Sequence, residues 1–275
     1  MTIQSPREAA NFFAIKAAQR QSWAVGDTSI ICAILVVIAE NLCEAVDLHA
    51  SQRVLDVATG SGNTAIAAAR RFCEVTGVDY IPSLLERGRE RAAAERLPVT
   101  FLEGDAEDLP FPDSSFDVVL STIGVMFTPN QEQAASELLR VCRPGGKIGL
   151  ASWTPDGLFG QLGRVMAPYM PPPPGVKSPA LWGTEAGLRE LFGEEIISIQ
   201  ANKRYYFHRY RSAQHAAEVF CNYYGPIAAA FEALEPDRQE CMRRDLGAML
   251  EQANLASDGT LVAAGEYLEA VVIRR

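Results

Sequence analysis

Between Val54 and Arg70 the chain reads VLDVATGSGNTAIAAAR, an apolar run, a turn with two glycines and an alanine-rich stretch. Gly60 and Gly62 allow a backbone to approach a ligand closely, and a helix starting near Asn63 presents its first N–H groups to that ligand. Such a helix end favours an anionic group, either a pyrophosphate or a carboxylate. Asp56 separates the two. A carboxylate just upstream of the loop repels pyrophosphate and suits a ligand that also carries an ammonium group.

S-adenosylmethionine has that charge pattern, with an ammonium, a sulfonium and no phosphate. Asp79, closing EVTGVDYIP, can accept two hydrogen bonds from a ribose diol, a contact shared by nicotinamide and adenosylmethionine sites. In LEGDAEDLPFPDSSFDVVLS, Asp105 falls where it can accept from an adenine amino group, and the Ala106 N–H can donate to the ring.

The elements that must position these residues alternate short β runs with helical segments, the pattern of a parallel sheet built from βαβ units. Strands are expected at 53–57, 74–78, 99–103, 117–121 and 147–152, with helices at 63–72, 82–97 and 131–142. Pro82 opens its helix, and RPGG at 143–146 stops the helix before it. Helical patterns also fill 6–23, 29–46, 158–170, 184–192 (with Thr184 as N-cap) and 213–253. Strands follow at 195–203, extending toward His208, and at 267–273. This divides the chain into a helical N-terminal lid (1–50), a cofactor-binding core (51–153), a cap insertion (154–194) and a completion of the core sheet with inserted cap helices (195–275).

In this order and spacing, LDVATGSG, GVDY, GDAEDLPFPDSSFDVVLS and LLRVCRPGG resemble the class I S-adenosylmethionine-dependent methyltransferases. The similarity is to the small-molecule branch that includes the ubiquinone and menaquinone methyltransferases, and it covers roughly 52–153. It implies an α/β, Rossmann-like, seven-stranded and mostly parallel sheet in the order 3-2-1-4-5-7-6, with strand 7 antiparallel. It further implies that Asp56, Gly60 and Gly62 hold the methionine end and Asp79 the ribose, with Tyr80 against the adenine. Asp105 and Ala106 would read the adenine edge, Ser121 would line the methionine side, and Trp23–Ser29 would fold over the cofactor. Ala58 departs from the glycine that many members carry at the first loop position.

Composition narrows the rest. A formal net charge of -9 speaks against a general binder of phosphate backbones, and six cysteines without a C-x-x-C pair suit reduced thiols in the cytoplasm. The apolar run 29–42 is too short for a membrane span, and no metal site is expected. The expected partner is a small, partly apolar acceptor with its receiving atom open among O, N, C and S; nothing in the residues specifies an oligomeric state. Trp182, in a Gly/Pro-flanked loop, and Tyr223 are candidates for the acceptor pocket. Asp27 and His208 are candidates for a general base, a role that is needed only if the acceptor must lose a proton. Two rivals stand beside methyl transfer: a non-methylating adenosylmethionine-binding protein or partner subunit, and a nicotinamide oxidoreductase. The second leaves Asp56 and Asp105 unexplained and lacks a Tyr-x-x-x-Lys pair.

Overall fold

The computed structural model describes residues 10–275, so the first four residues of the helix expected at 6–23 lie outside it. In chain order the regular elements begin with α1 (Phe12–Trp23), α2 (Ser29–Ile34) and α3 (Val36–Ala45). The alternating part is β1 (Arg53–Val57), α4 (Asn63–Arg70), β2 (Glu74–Asp79), α5 (Pro82–Ala94), β3 (Val99–Glu103), β4 (Phe116–Thr122), α6 (Gln131–Val141) and β5 (Cys142–Trp153). Then come α7 (Leu158–Met166), α8 (Glu185–Phe192), β6 (Ile196–Tyr210), α9 (Ala213–Tyr223), α10 (Gly225–Glu232), α11 (Pro236–Gln252) and β7 (Leu261–Arg274).

Among the described residues, seven strands form one sheet in the order β3-β2-β1-β4-β5-β7-β6. The pairs from β3 to β5 are parallel, and β7 runs antiparallel to both of its neighbours. Strands buried on both faces read as nearly continuous apolar runs, which is why β1 and β4 carry almost no alternation. α4 buries Thr64 through Ala69 because its alanines let the helix axis lie close to the sheet.

β6 and β7 are longer than expected. β5 stops pairing where Trp153 meets Tyr267, yet β6 and β7 continue together to the Tyr210–Leu261 pair. That extension carries a second apolar core, in which Leu261 and Ala263 pack with α7, α9, α10 and α11. Glycine or proline breaks the helical stretch expected at 213–253 into three, with Pro226 and Pro236 in the first turns of α10 and α11. The stretch expected at 29–46 breaks at Leu35, whose backbone leaves helical geometry. The interval 154–194 divides between the two cores: α7 joins the second, while Trp182, Leu188 and Phe192 pack into the core around the sheet.

Candidate active site

The carboxyl ends of β1, β2, β4 and β5 open into a cleft of about 1350 Å³ including its mouth. One end is lined by Gly60, Asn63, Asp79, Tyr80, Asp105 and Ala106, the other by Ile31, Trp153, Phe159, His208, Phe220 and Tyr224. A switch in strand order, here between β1 and β4, is where open α/β sheets place their ligands.

The loop after β1 takes its shape from left-handed backbone at Ala58, Gly60 and Gly62, with φ of 54°, 56° and 83°. Gly62 tolerates nothing larger, since a Cβ there would stand 2.8 Å from the Phe101 ring. Ala58 holds the same conformation with a methyl group, at the position where glycine was expected to be usual. Asp56 lies beneath this loop and does not line the cleft. Its Oδ2 accepts from Thr59 Oγ1 at 2.5 Å and from the Ala65 N–H at 2.9 Å, so it caps α4 from below. Its Oδ1 is buried without a partner among the described residues, and burial pushes the carboxyl up to about 7.

Asp79 is at the cleft. Its Oδ2 accepts from Gly60 N at 2.8 Å and its Oδ1 from Ile81 N at 2.9 Å, while burial raises it to about 6. Tyr80 beside it is likewise raised by burial. At the end of β3, Asp105 Oδ1 accepts from Glu107 N at 2.9 Å, and Oδ2 accepts from Lys16 Nζ of α1 at 2.6 Å. Lys16 also pairs with Glu107 at 3.0 Å. Burial works against the Lys16 charge, but these two carboxylates outweigh it and raise the ammonium above its usual value. The sequence reading missed Lys16, which lies in a helix with no motif of its own. It also missed Cys32 and Asn63, which face the cleft and are joined by Asn63 Nδ2 donating to Cys32 O at 2.7 Å.

Besides Asp56 and Gly62, which shape the loop from behind, four more expected site residues lie off the cleft. Ser121 is spent on backbone, donating to Val57 O at 2.7 Å and accepting from Val125 N at 2.9 Å; Thr122, Ile123 and Gly124 line the cleft instead. Trp182 is fully buried against Phe192 at 6.1 Å between ring centroids, in a 3-10 turn (Pro179–Gly183) that packs on the main core. Tyr223 packs against the second core; the next residue, Tyr224, packs there too and also lines the cleft. Asp27 closes a local turn by accepting from Ser29 and stands 3.8 Å from Arg87. His208, in contrast, is in the cleft wall, 2 % exposed, and neither ring nitrogen has a hydrogen-bond partner among the described residues. Trp23 and Thr28 also line the cleft, on the segment expected to cover it.

The charged lining of the cleft comprises Asp79, Asp105 and Glu107 against Lys16, which Asp105 and Glu107 already hold. Such a set fits a cationic, phosphate-free nucleoside and disfavours a pyrophosphate. Comparisons with known proteins agree. The methyltransferase-domain family matches residues 54–146. The uncharacterized protein Rv1405c of Mycobacterium tuberculosis is 37% identical over 271 residues, 98% of this chain and 97% of that protein. A demethylmenaquinone methyltransferase of Deinococcus radiodurans is 36% identical over 160 residues, 57% of this chain and 65% of that protein. The crystal structure of YcgJ from Bacillus subtilis shares the fold at a TM-score of 0.60 and 21% identity, over 86% of this chain and 98% of that one. The chain belongs to the class I S-adenosylmethionine-dependent methyltransferases.

Proposed function

We propose that the protein transfers the methyl group of S-adenosylmethionine to a small, partly apolar metabolite. The observation that carries this reading is the two-ended cleft, with an acidic, glycine-shaped end that continues into an aromatic one. At the first end, the Gly60–Gly62 loop and the amino end of α4 would take the methionine carboxylate, and Asp79 the ribose hydroxyls. Tyr80, Asp105 and Ala106 would frame the adenine. Asp56 would act through the loop it holds and through its charge. The cofactor supplies a methyl group already activated on sulfonium.

The protein's own task is to align the acceptor in line with that methyl and keep water out, a contribution on the order of 7–11 kcal/mol. In this reading α1 and α2 are the lid, and α7 and α9–α11 the cap that shapes the acceptor end. That the Deinococcus relative is a demethylmenaquinone methyltransferase supports an apolar acceptor. Calorimetric titration with adenosylmethionine, its demethylated product and NAD tests the reading. The first two are expected to bind and NAD to give no heat. Binding of NAD alone rejects it.

A further inference from the structure

The aromatic end of the cleft contains one polar side chain whose hydrogen-bonding capacity is entirely unused. His208 is buried, lines the cavity, and leaves both ring nitrogens without a partner among the described residues. A buried imidazole in that state carries an uncompensated desolvation cost that a hydrogen-bonding ligand would relieve. Its surroundings are assembled from several elements. Trp153 of β5 and Phe159 of α7 stack on each other at 4.1 Å and 7°, and the His208 ring centroid lies 5.9 Å and 5.3 Å from theirs. Tyr206 of the same strand meets it edge-on at 4.7 Å. On β7, Gly265 leaves the space that the ring takes, since a Cβ there would stand 2.9 Å from Nε2. None of these neighbours carries a charge.

We propose that His208 is the catalytic proton acceptor of the methyl transfer, and that the acceptor is an uncharged compound presenting a hydroxyl on an apolar body. The inference rests on the methyl-transfer reading above. Among the described residues, a carboxylate or phosphate would find no cation at this end, and an ammonium no carboxylate; the cleft's charged lining is all at the cofactor end. A hydroxyl, by contrast, can donate to the neutral imidazole and complete it.

As the acceptor oxygen forms its bond to the methyl carbon, its proton passes to a ring nitrogen of His208. The carbon–sulfur bond breaks with its electron pair going to sulfur, leaving a neutral thioether, a methyl ether and an imidazolium. One positive charge is present before and after, so the apolar end receives a charge only as the sulfonium loses one. The Trp153 and Phe159 rings stand within the roughly 6 Å over which aromatic faces stabilise a cation. Burial, which lowers the imidazole to about 4, keeps it neutral and able to accept before the reaction.

Umbelliferone and coumarin, a flat apolar pair differing by one hydroxyl, probe this directly in the complex with the demethylated cofactor. Wild type is expected to bind umbelliferone about tenfold more tightly than coumarin, and His208→Phe to lose that preference while its affinity for the demethylated cofactor stays the same. His208→Gln can still hydrogen-bond the hydroxyl but cannot take its proton. It should keep much of the binding preference and form the methyl ether of umbelliferone about 100-fold more slowly than wild type, by mass spectrometry. Equal binding of the two probes, a preference that survives in His208→Phe, no methyl ether from wild type, or an unchanged rate in His208→Gln each overturns the proposal. Loss of cofactor binding by the wild-type protein would instead strike at the methyl-transfer reading.

Discussion

Asp56 and Asp79 stand on neighbouring strands at the foot of the same loop, and each is held above its ordinary value by burial, to about 7 and about 6. Asp79 adds repulsion that raises Asp56 further. For an acid raised in the folded state, the stabilisation is complete below the unfolded value near 3.8 and is lost as pH rises through 6 and 7. The ligand-free protein should therefore lose stability between about pH 4 and pH 7, each group contributing at most about 1.4 kcal/mol per pH unit. Asp56→Asn can keep both accepted hydrogen bonds through its single oxygen, because only Oδ2 is engaged. Its melting temperature should fall less steeply over that range than wild type, and superimposable profiles would refute the buried charge. In the sequence, Asp56 was readable as a charge at the right place but not as a helix cap. The bond from Ala65 exists only once β1 and α4 are folded against each other. Ser121 and Trp182 misled for a related reason: residue type and strand position do not reveal whether a polar atom is already satisfied or which side of the sheet a loop packs on.

At the level of elements, α1 buries no residue and is held by its edges. Lys16 pairs with Asp105 and Glu107, Arg20 pairs with Glu103, and Trp23 lies 5.3 Å from Phe127 and 5.6 Å from Tyr224 between ring centroids. Segments with few buried apolar contacts open below the global unfolding free energy. Lys16→Ala should speed amide hydrogen exchange across 12–23 severalfold, while the melting temperature moves by little, since a partly exposed ion pair contributes about 1 kcal/mol or less. A unitary loss of stability with no local change in exchange would show α1 to be part of the main cooperative unit. The alternating strands and helices of β1 to β5 were legible because apolar runs, Pro82 and RPGG punctuate them. The breaks before α10 and α11 were missed within one helical stretch, although Pro226 and Pro236 mark them. The break at Leu35, a residue that lines the cleft, carries no glycine or proline to mark it. The outer halves of β6 and β7 were obscured because their partners are cap helices far along the chain.

For the molecule as a whole, the cleft lies between two apolar cores, one around the sheet and one under α7 and α9–α11. The turn between α1 and α2 meets the junction of α9 and α10 with almost no clearance. Gly26 has φ of 66° and a Cβ there would stand 2.6 Å from Asn222 O; a Cβ on Gly225 would stand 2.9 Å from Ser22 O and from the Trp23 Cα. Thr28 Oγ1 accepts from Gly225 N at 3.1 Å across the same seam, and Tyr206 Oη donates to Ile34 O at 2.5 Å from the far side. The helices over the cofactor end are therefore joined to the second core by backbone, so a ligand that orders one should order the other. Saturating demethylated cofactor at about 100 times its dissociation constant adds about 2.7 kcal/mol of stability. In wild type that gain should appear as slower amide exchange in 213–232 as well as in 12–34, even though the cofactor end of the cleft is lined by neither α9 nor α10. Gly225→Ala forces a separation at the seam, because the obstructing atoms are backbone and cannot rotate away. In that variant the protection should remain in 12–34 but fade in 213–232, with cofactor affinity reduced severalfold. Equal protection of both segments in Gly225→Ala would mean that the seam does not couple them.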